Sequence, residues 1–379
     1  MNFFSRALYV LTTALLVATP ALADVVVGTS QPLTGPGSGA GIPMSKSFKL
    51  WPSKIGGETV RIIVLDDATD PGKGVANLNR LITQDNVDIV INSAATPVAA
   101  AMSQLAKEQQ VVQIAAAPVG MAPGQDGWIF RLPQSTEVMA YAMVKHMARA
   151  GVKTVGFLGY ADTYGELWLK AFVPEAEKSG IKVIAVERFA RTDSSVTPQA
   201  LKLVAANPDA MLIVASGSGA AMPHLAIAER GYKSSIYQTH AAATMDLIRL
   251  GGKAVDGAYV VSGPAMVGAQ LPDSHPSKRI AMDFLAGYEA ANGAGSASQF
   301  AAHAYDARLV LEKVIPMALK KGKPGTAQFR SALRDALESM GTTPLSHGVM
   351  NWSANDHWGY TNETGVMLKV TSGQFVVEK

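Results

Sequence analysis

The residues with the clearest chemical spacing are Gly35-Pro36-Gly37-Ser38-Gly39-Ala40, a G-x-G-x-x-A run of the kind that cradles the pyrophosphate of a dinucleotide. On that reading the chain is an NAD-dependent oxidoreductase. The context argues against it. A dinucleotide loop starts directly after its strand, whereas Thr29 to Thr34 intervene here, and Pro36 removes an amide from the cradle. The nearest strand-end acids, Asp66 and Asp67, follow about thirty residues on rather than the usual ~20. A flexible loop over a cleft accounts for the glycines better.

Other catalytic constellations fare worse. No H-E-x-x-H offers a metal site, and Ser216-Gly217-Ser218-Gly219 lacks the glycine two before the serine that a nucleophile elbow requires. The seven histidines are scattered. The chain has no cysteine, which removes disulfides, thiolate catalysis and cysteine-ligated metals together. Adjacent Asp66 and Asp67 point to opposite faces of a strand and do not converge on one bond, so they read as solvated strand-end acids near a helix start. These absences predict a protein with no metal, no cofactor and no turnover.

What stands out is where polar and small residues fall, at the carboxyl ends of strands, the rim where open parallel sheets bind ligands. The strand Val87 to Ile91 runs into Asn92-Ser93-Ala94-Ala95-Thr96 and then Pro97, favoured at the first helical position. Thr96 reads as an N-cap, and with Ser93 and the free amides of that helix start it makes a carboxylate site. The next strand ends in Ala115-Ala116-Ala117-Pro118, where small side chains let a ligand approach the backbone; a tight loop packed under its own helix fits as well.

The elements that must position these residues alternate. Short Val- and Ile-rich runs separated by helix-period stretches are the pattern of parallel sheets covered on both faces. Strands are predicted at Val25 to Gly28, Val60 to Leu65, Val87 to Ile91 and Val111 to Ala115, then at Thr154 to Leu158, Val183 to Phe189, Ala210 to Val214 and Ile236 to Gln238. At 379 residues the chain exceeds one hydrophobic core, and the two series predict two doubly wound lobes. After Ser262-Gly263-Pro264 three further helices follow, at Ser277 to Ala291, Gln299 to Lys320 and Thr326 to Leu337. One economical arrangement returns them to the first lobe, giving lobe 1 as 24–132 plus 264–347 and lobe 2 as 133–263 plus 348–379, with a three-segment hinge.

The first 23 residues have the parts of a secretory signal: Arg6, an apolar run from Ala7 to Ala18 shorter than the ~20 residues of a spanning helix, and Ala21-Leu22-Ala23 before Asp24. Export to a periplasm, without a lipid-anchoring cysteine, is the expectation. Removing the one arginine of the leader lowers the formal charge from +3 to +2. That balance gives no electrostatic footprint for nucleic acid or a membrane surface.

Several stretches together resemble the leucine/isoleucine/valine-binding type of type I periplasmic binding proteins, the solute receptors of ABC importers. They are Gly28 through Pro36, Ile62 to Pro71, Tyr160 through Gly165, His303 through Ala307, and Asn351-Trp352. The resemblance implies a small ligand clamped between two rims and delivered to a membrane permease and its ATPase subunits by a monomer. Matched residue by residue, it places first-lobe contacts on Ser93, Thr96, Ala115 and Ala117, and second-lobe contacts on Tyr164, Ser218 and the loop at His240. Packing at a helix start is the alternative for Tyr164 and a turn role for Ser218, but both are read as binding residues because they follow strand ends of the same sheet; His240 reads equally as a loop residue facing solvent.

Amino-acid-binding relatives usually carry an acid in the loop after the strand ending at Gln238, where it pairs with the ligand ammonium. Here that loop reads Thr239-His240-Ala241-Ala242. The departure predicts a carboxylate without an α-amine, an aromatic or branched aliphatic acid, with its carboxylate on Ser93 and Thr96 and its far polar group on His240. Asp162 is the nearest acid that could rescue an ammonium. A branched-chain amino acid, or a sensing role ahead of a receptor, are the alternatives.

Overall fold

The computed structural model describes residues 24–378; the expected leader, 1–23, lies outside them. The first lobe is built on strands β1 (Val25–Gln31), β2 (Lys54–Ile55), β3 (Glu58–Asp66), β4 (Ile89–Ile91), β5 (Val112–Ala115) and β6 (Ile129–Arg131). They lie in the order β2-β3-β1-β4-β5-β6, all parallel except the short β2. Central β1 is buried along its whole length, as a strand covered on both faces must be. Helices α1 (Ser38–Phe48), α2 (Pro71–Thr83) and α3 (Thr96–Glu108) connect the strands. In α2 the sequence dictates the start: Asp70 accepts from the Lys73 amide at 2.7 Å and Pro71 follows at the first position.

The second lobe holds β7 (Thr154–Tyr160), β8 (Lys182–Phe189), β9 (Ala210–Val214), β10 (Ser235–Gln238) and β11 (Tyr259–Ser262). Helices α4 (Thr136–Arg149), α5 (Thr163–Lys178), α6 (Thr197–Ala206), α7 (Ala221–Ala228) and α8 (Met245–Gly251) alternate with them. Central β9 is buried throughout, whereas β8 at the edge alternates between exposed and half-buried positions. After β11 come α9 (Lys278–Asn292), α10 (Gln299–Leu319) and α11 (Ala327–Ser339). Of these, α10 packs on α1 and α11 on β5, on the first lobe's side. A hairpin of β12 (Thr343–Leu345) and β13 (Gly348–Met350) follows, and then β14 (Val366–Thr371) and β15 (Gln374–Val377). These last two strands extend the second sheet, in the order β15-β14-β11-β10-β9-β7-β8, and both pair antiparallel. The doubly wound architecture is therefore present in both lobes, with antiparallel strands at an edge of each sheet.

The three passages between lobes touch one another. The Gln134 amide nitrogen donates to the His347 carbonyl at 2.7 Å, and a Cβ on Gly263 would lie 2.4 Å from Gln134 and 2.9 Å from the same carbonyl. Only glycine fits at that crossing. Beyond the hairpin, the Arg131 amide donates to the His357 carbonyl at 3.0 Å, and Trp352 and His357 both pack on Phe130.

Two local expectations are corrected. The glycine run is not a free loop: Ser38 begins α1, so Gly39 and Ala40 are helical. Asp66 is a half-exposed acid at the end of β3, as expected, but Asp67 is not solvated. Asp66 ties Leu33, Thr34 and Ala68 together, while Asp67 is fully buried, accepts from Ser30 Oγ and the Thr69 amide, and has its pKa raised by that burial. Both acids are used to close the turn between β3 and α2, and Asp70 takes the capping role.

Candidate functional site

Between the two rims lies a small cavity lined by residues of both lobes. On the first lobe its wall is set by two buried amides. Gln31 donates to the Asn92 carbonyl at 2.6 Å and accepts from the Ala94 amide, while Asn92 Oδ1 accepts from the Ala116 amide at 2.8 Å. The ends of β4 and β5 are thus held side by side, and Ala94, Thr96, Ala116 and Ala117 face the cavity. Three residues of the α10 end, Gln299, Phe300 and His303, complete that side.

The second lobe contributes Tyr164, Arg191, Ser216, His240 and Ala241. Tyr164 is fixed by the first turn of α5. Asp162 caps that helix through the Tyr164 and Gly165 amides, and a Cβ on Gly165 would fall 1.8 Å from the Tyr160 carbonyl, so glycine lets α5 start hard against the end of β7. The Tyr164 hydroxyl donates to Thr239 Oγ1 at 2.8 Å, and Thr239 in turn donates to the Ala215 carbonyl at 3.2 Å.

Arg191 lies two residues past β8. Its Nε donates to Asp162 Oδ2 at 2.6 Å, its Nη1 to Ser216 Oγ at 3.0 Å, and its guanidinium stacks over the Tyr160 ring at 4.0 Å. Of its five N–H donors, three are left by those two bonds. The residues lining the cavity include no carboxylate.

The polar character of the opposite end comes from uncharged groups. His240 is 2% exposed and His303 1%. Burial pushes the His240 imidazole down to about 3 and holds His303 well below the usual range, so both rings are neutral at neutral pH. Behind His303 stands His347, its ring stacked on that of His303 at 4.1 Å and its Nδ1 2.8 Å from Asp306 Oδ2. Asp306 also accepts from the amides of Ser346 and His347, which fixes the β12–β13 turn.

The strand-end residues singled out from the sequence divide accordingly. Thr96, Ala117, Tyr164 and His240 line the cavity together. His240 does not face solvent. Ser93, Ala115 and Ser218 are adjacent to the cavity but do not line it. Ser93 is wholly buried with its hydroxyl accepting from the Ala95 amide, and Ala115 completes β5 beneath the rim. Ser218 sits where the lobes meet: a Cβ on Gly39 would find its amide nitrogen and hydroxyl at 3.4 Å. Thr96 is the first residue of α3 and Ala95 holds the cap position, without a side-chain bond.

The strand-end pattern does not single out Arg191, Ser216, Gln299 or His303. The signals for them were present. Arg191 follows a strand end like the others, and Gln299, His303 and Asp306 recur at spacings of four and three, a polar stripe on the buried face of α10. Among the described residues no group of histidines and acids has the geometry to hold a metal ion, and no helix is long and apolar enough to cross a membrane.

Comparison with known proteins agrees with this architecture. The chain is 27% identical over 205 residues to a Leu/Ile/Val-binding protein homolog of Brucella melitensis, a match covering 51% of this chain and 54% of that protein. A Pseudomonas aeruginosa amino acid binding protein matches to a similar extent, so the chain spans about half the length of the curated relatives it matches. An extracellular ligand-binding receptor from Rhodopseudomonas palustris is 42% identical, with a TM-score of 0.92 over 94% of this chain and 99% of that one. A solute-binding protein from the same organism, solved with benzoate, shares the fold at 19% identity, with a TM-score of 0.79 over 94% of this chain and 95% of that one. The family model described as periplasmic binding protein matches residues 24–373, and the chain belongs to that family.

Proposed function

We propose that the chain is the periplasmic substrate-binding component of an ABC importer and that it carries a small carboxylate without an α-amine, an aromatic or branched aliphatic acid, between its two lobes. The observation that carries this reading is the charge of the cavity: one guanidinium with unused donors, and no carboxylate in the lining. A ligand carboxylate takes a bidentate or shared bond from Arg191, with Thr96 across the cleft. An ammonium finds no anion. Asp162, the one acid at hand, spends Oδ1 on the start of α5 and Oδ2 on Arg191. Leaving a buried ammonium without a partner typically forfeits roughly 2–5 kcal/mol.

In this reading the ligand is bound and released unchanged. The test is calorimetric titration with leucine and with 4-methylpentanoate, its counterpart without the amine. Tighter binding of the acid supports the reading, and tighter binding of leucine restores a branched-chain amino acid as ligand.

A further inference from the structure

We infer that the α10 end of the cavity selects a ligand bearing a hydroxyl group, so that the solute is a hydroxy-substituted acid. The inference rests on the carboxylate reading above and goes beyond it. Five polar atoms at this end are buried without a hydrogen-bond partner in the protein: Nε2 and Oε1 of Gln299, Nδ1 and Nε2 of His303, and Nδ1 of His240. Gln299 and His303 are each 1% exposed, and all three residues line the cavity. Each buried polar group left unpaired costs about 1–3 kcal/mol, so an apolar ligand end would leave the penalty standing.

The chemistry of the three side chains defines what satisfies them. A neutral imidazole offers one N–H donor and one bare nitrogen, and a carboxamide offers two donors and a carbonyl. Donors and acceptors are therefore mixed. A second carboxylate, which only accepts, would leave the bare ring nitrogens and the Gln299 carbonyl unpaired, and an ammonium, which only donates, would leave the N–H groups unpaired. A hydroxyl donates once and accepts twice, and matches the mixture without a change of charge. The stack of His347 on His303, with His347 fixed by Asp306, holds the reading ring in one plane, so the hydroxyl must arrive at a set position.

The two ends of the cavity then divide the work, with the carboxylate on Arg191 and the hydroxyl on Gln299, His303 and His240. The experiment titrates the full chain with benzoate, 3-hydroxybenzoate and 4-hydroxybenzoate, then repeats the series with Gln299→Leu and His303→Leu. One hydroxy acid is expected to bind at least about fivefold more tightly than benzoate, the lower end of the ratio that follows from one unsatisfied buried group. Either substitution should shrink that ratio. If a variant fails to fold, the ratio on the natural chain decides alone. Equal binding of all three acids, or tightest binding of benzoate, overturns the inference and leaves the carboxylate reading intact. Binding of leucine but of none of the three acids overturns both.

Discussion

Arg191 Nε and Asp162 Oδ2 lie 2.6 Å apart at the rim of the cleft, so the acid nearest the cavity is already neutralised by the cation nearest it. The pair is largely shielded, with side-chain exposures of 11% and 18%, and Asp162 also caps α5. The guanidinium keeps three N–H donors for a ligand, while the carboxylate accepts three bonds already and has its charge balanced by Arg191. On the proposed reading, that asymmetry favours an anionic group of the ligand over an ammonium.

Replacing Arg191 removes the one fixed positive charge in the lining. Arg191→Met is expected to weaken binding of the preferred acid by roughly 30-fold or more, the lower end of what truncating a buried charge pair costs. Titration calorimetry measures it. An unchanged affinity would place the carboxylate elsewhere, on Thr96 and the start of α3.

Tyr164 makes the opposite prediction. Its hydroxyl is committed to Thr239, so Tyr164→Phe should lower stability by about 0.5–1.5 kcal/mol and leave acid affinity within about threefold. Chemical denaturation and titration of the same variant separate the two effects. A large loss of affinity at unchanged stability would show that the hydroxyl turns to the ligand.

The contact of Gly39 with Gly217 and Ser218 at the cleft mouth offers a handle on closure. Saturating ligand should compact the natural chain in small-angle scattering and raise its melting temperature by mass action. Gly39→Leu places a side chain where the second lobe must approach. It is expected to reduce the compaction and weaken binding without unfolding the first lobe, since the new side chain lies between the lobes. Full compaction of that variant would move the closing contact elsewhere.

Acidification should destabilise the folded protein through its buried histidines. The His240 imidazole sits at about 3 when folded against an ordinary 6.5, and His224, buried in the second lobe, at about 4. Between those values and 6.5 the unfolded chain binds protons that the folded chain does not, so stability is full above 6.5 and falls as pH drops below it. Melting temperatures at pH 7.5 and 5 should differ more for the natural chain than for His240→Asn. Equal differences would remove His240 from the linkage.

The amino-acid sequence by itself determined the parts that depend on near neighbours in the chain. Val and Ile runs separated by helix-period stretches specify strands such as β1, β7 and β9, and Asp70-Pro71 specifies where α2 starts, because capping and burial patterns act over a few residues. The absence of an acid in Thr239-His240-Ala241-Ala242 was equally legible, since the loop is one short run. Tertiary structure decided what converges. Arg191 stands in the stretch Ala190-Arg191-Thr192-Asp193 past a strand end, where local pattern alone does not say what it meets. It becomes the cation of the site because β7, β8 and β9 are neighbours in the sheet and bring Asp162 and Ser216 against it. The antiparallel pairing of β14 with β11 joins segments more than a hundred residues apart, a distance at which local pattern carries no information. His240, His303 and His347 are spread over the second lobe, α10 and the hinge. They meet in one buried cluster only because the chain crosses between lobes, and burial then sets their charge, which no property of the isolated residues could fix.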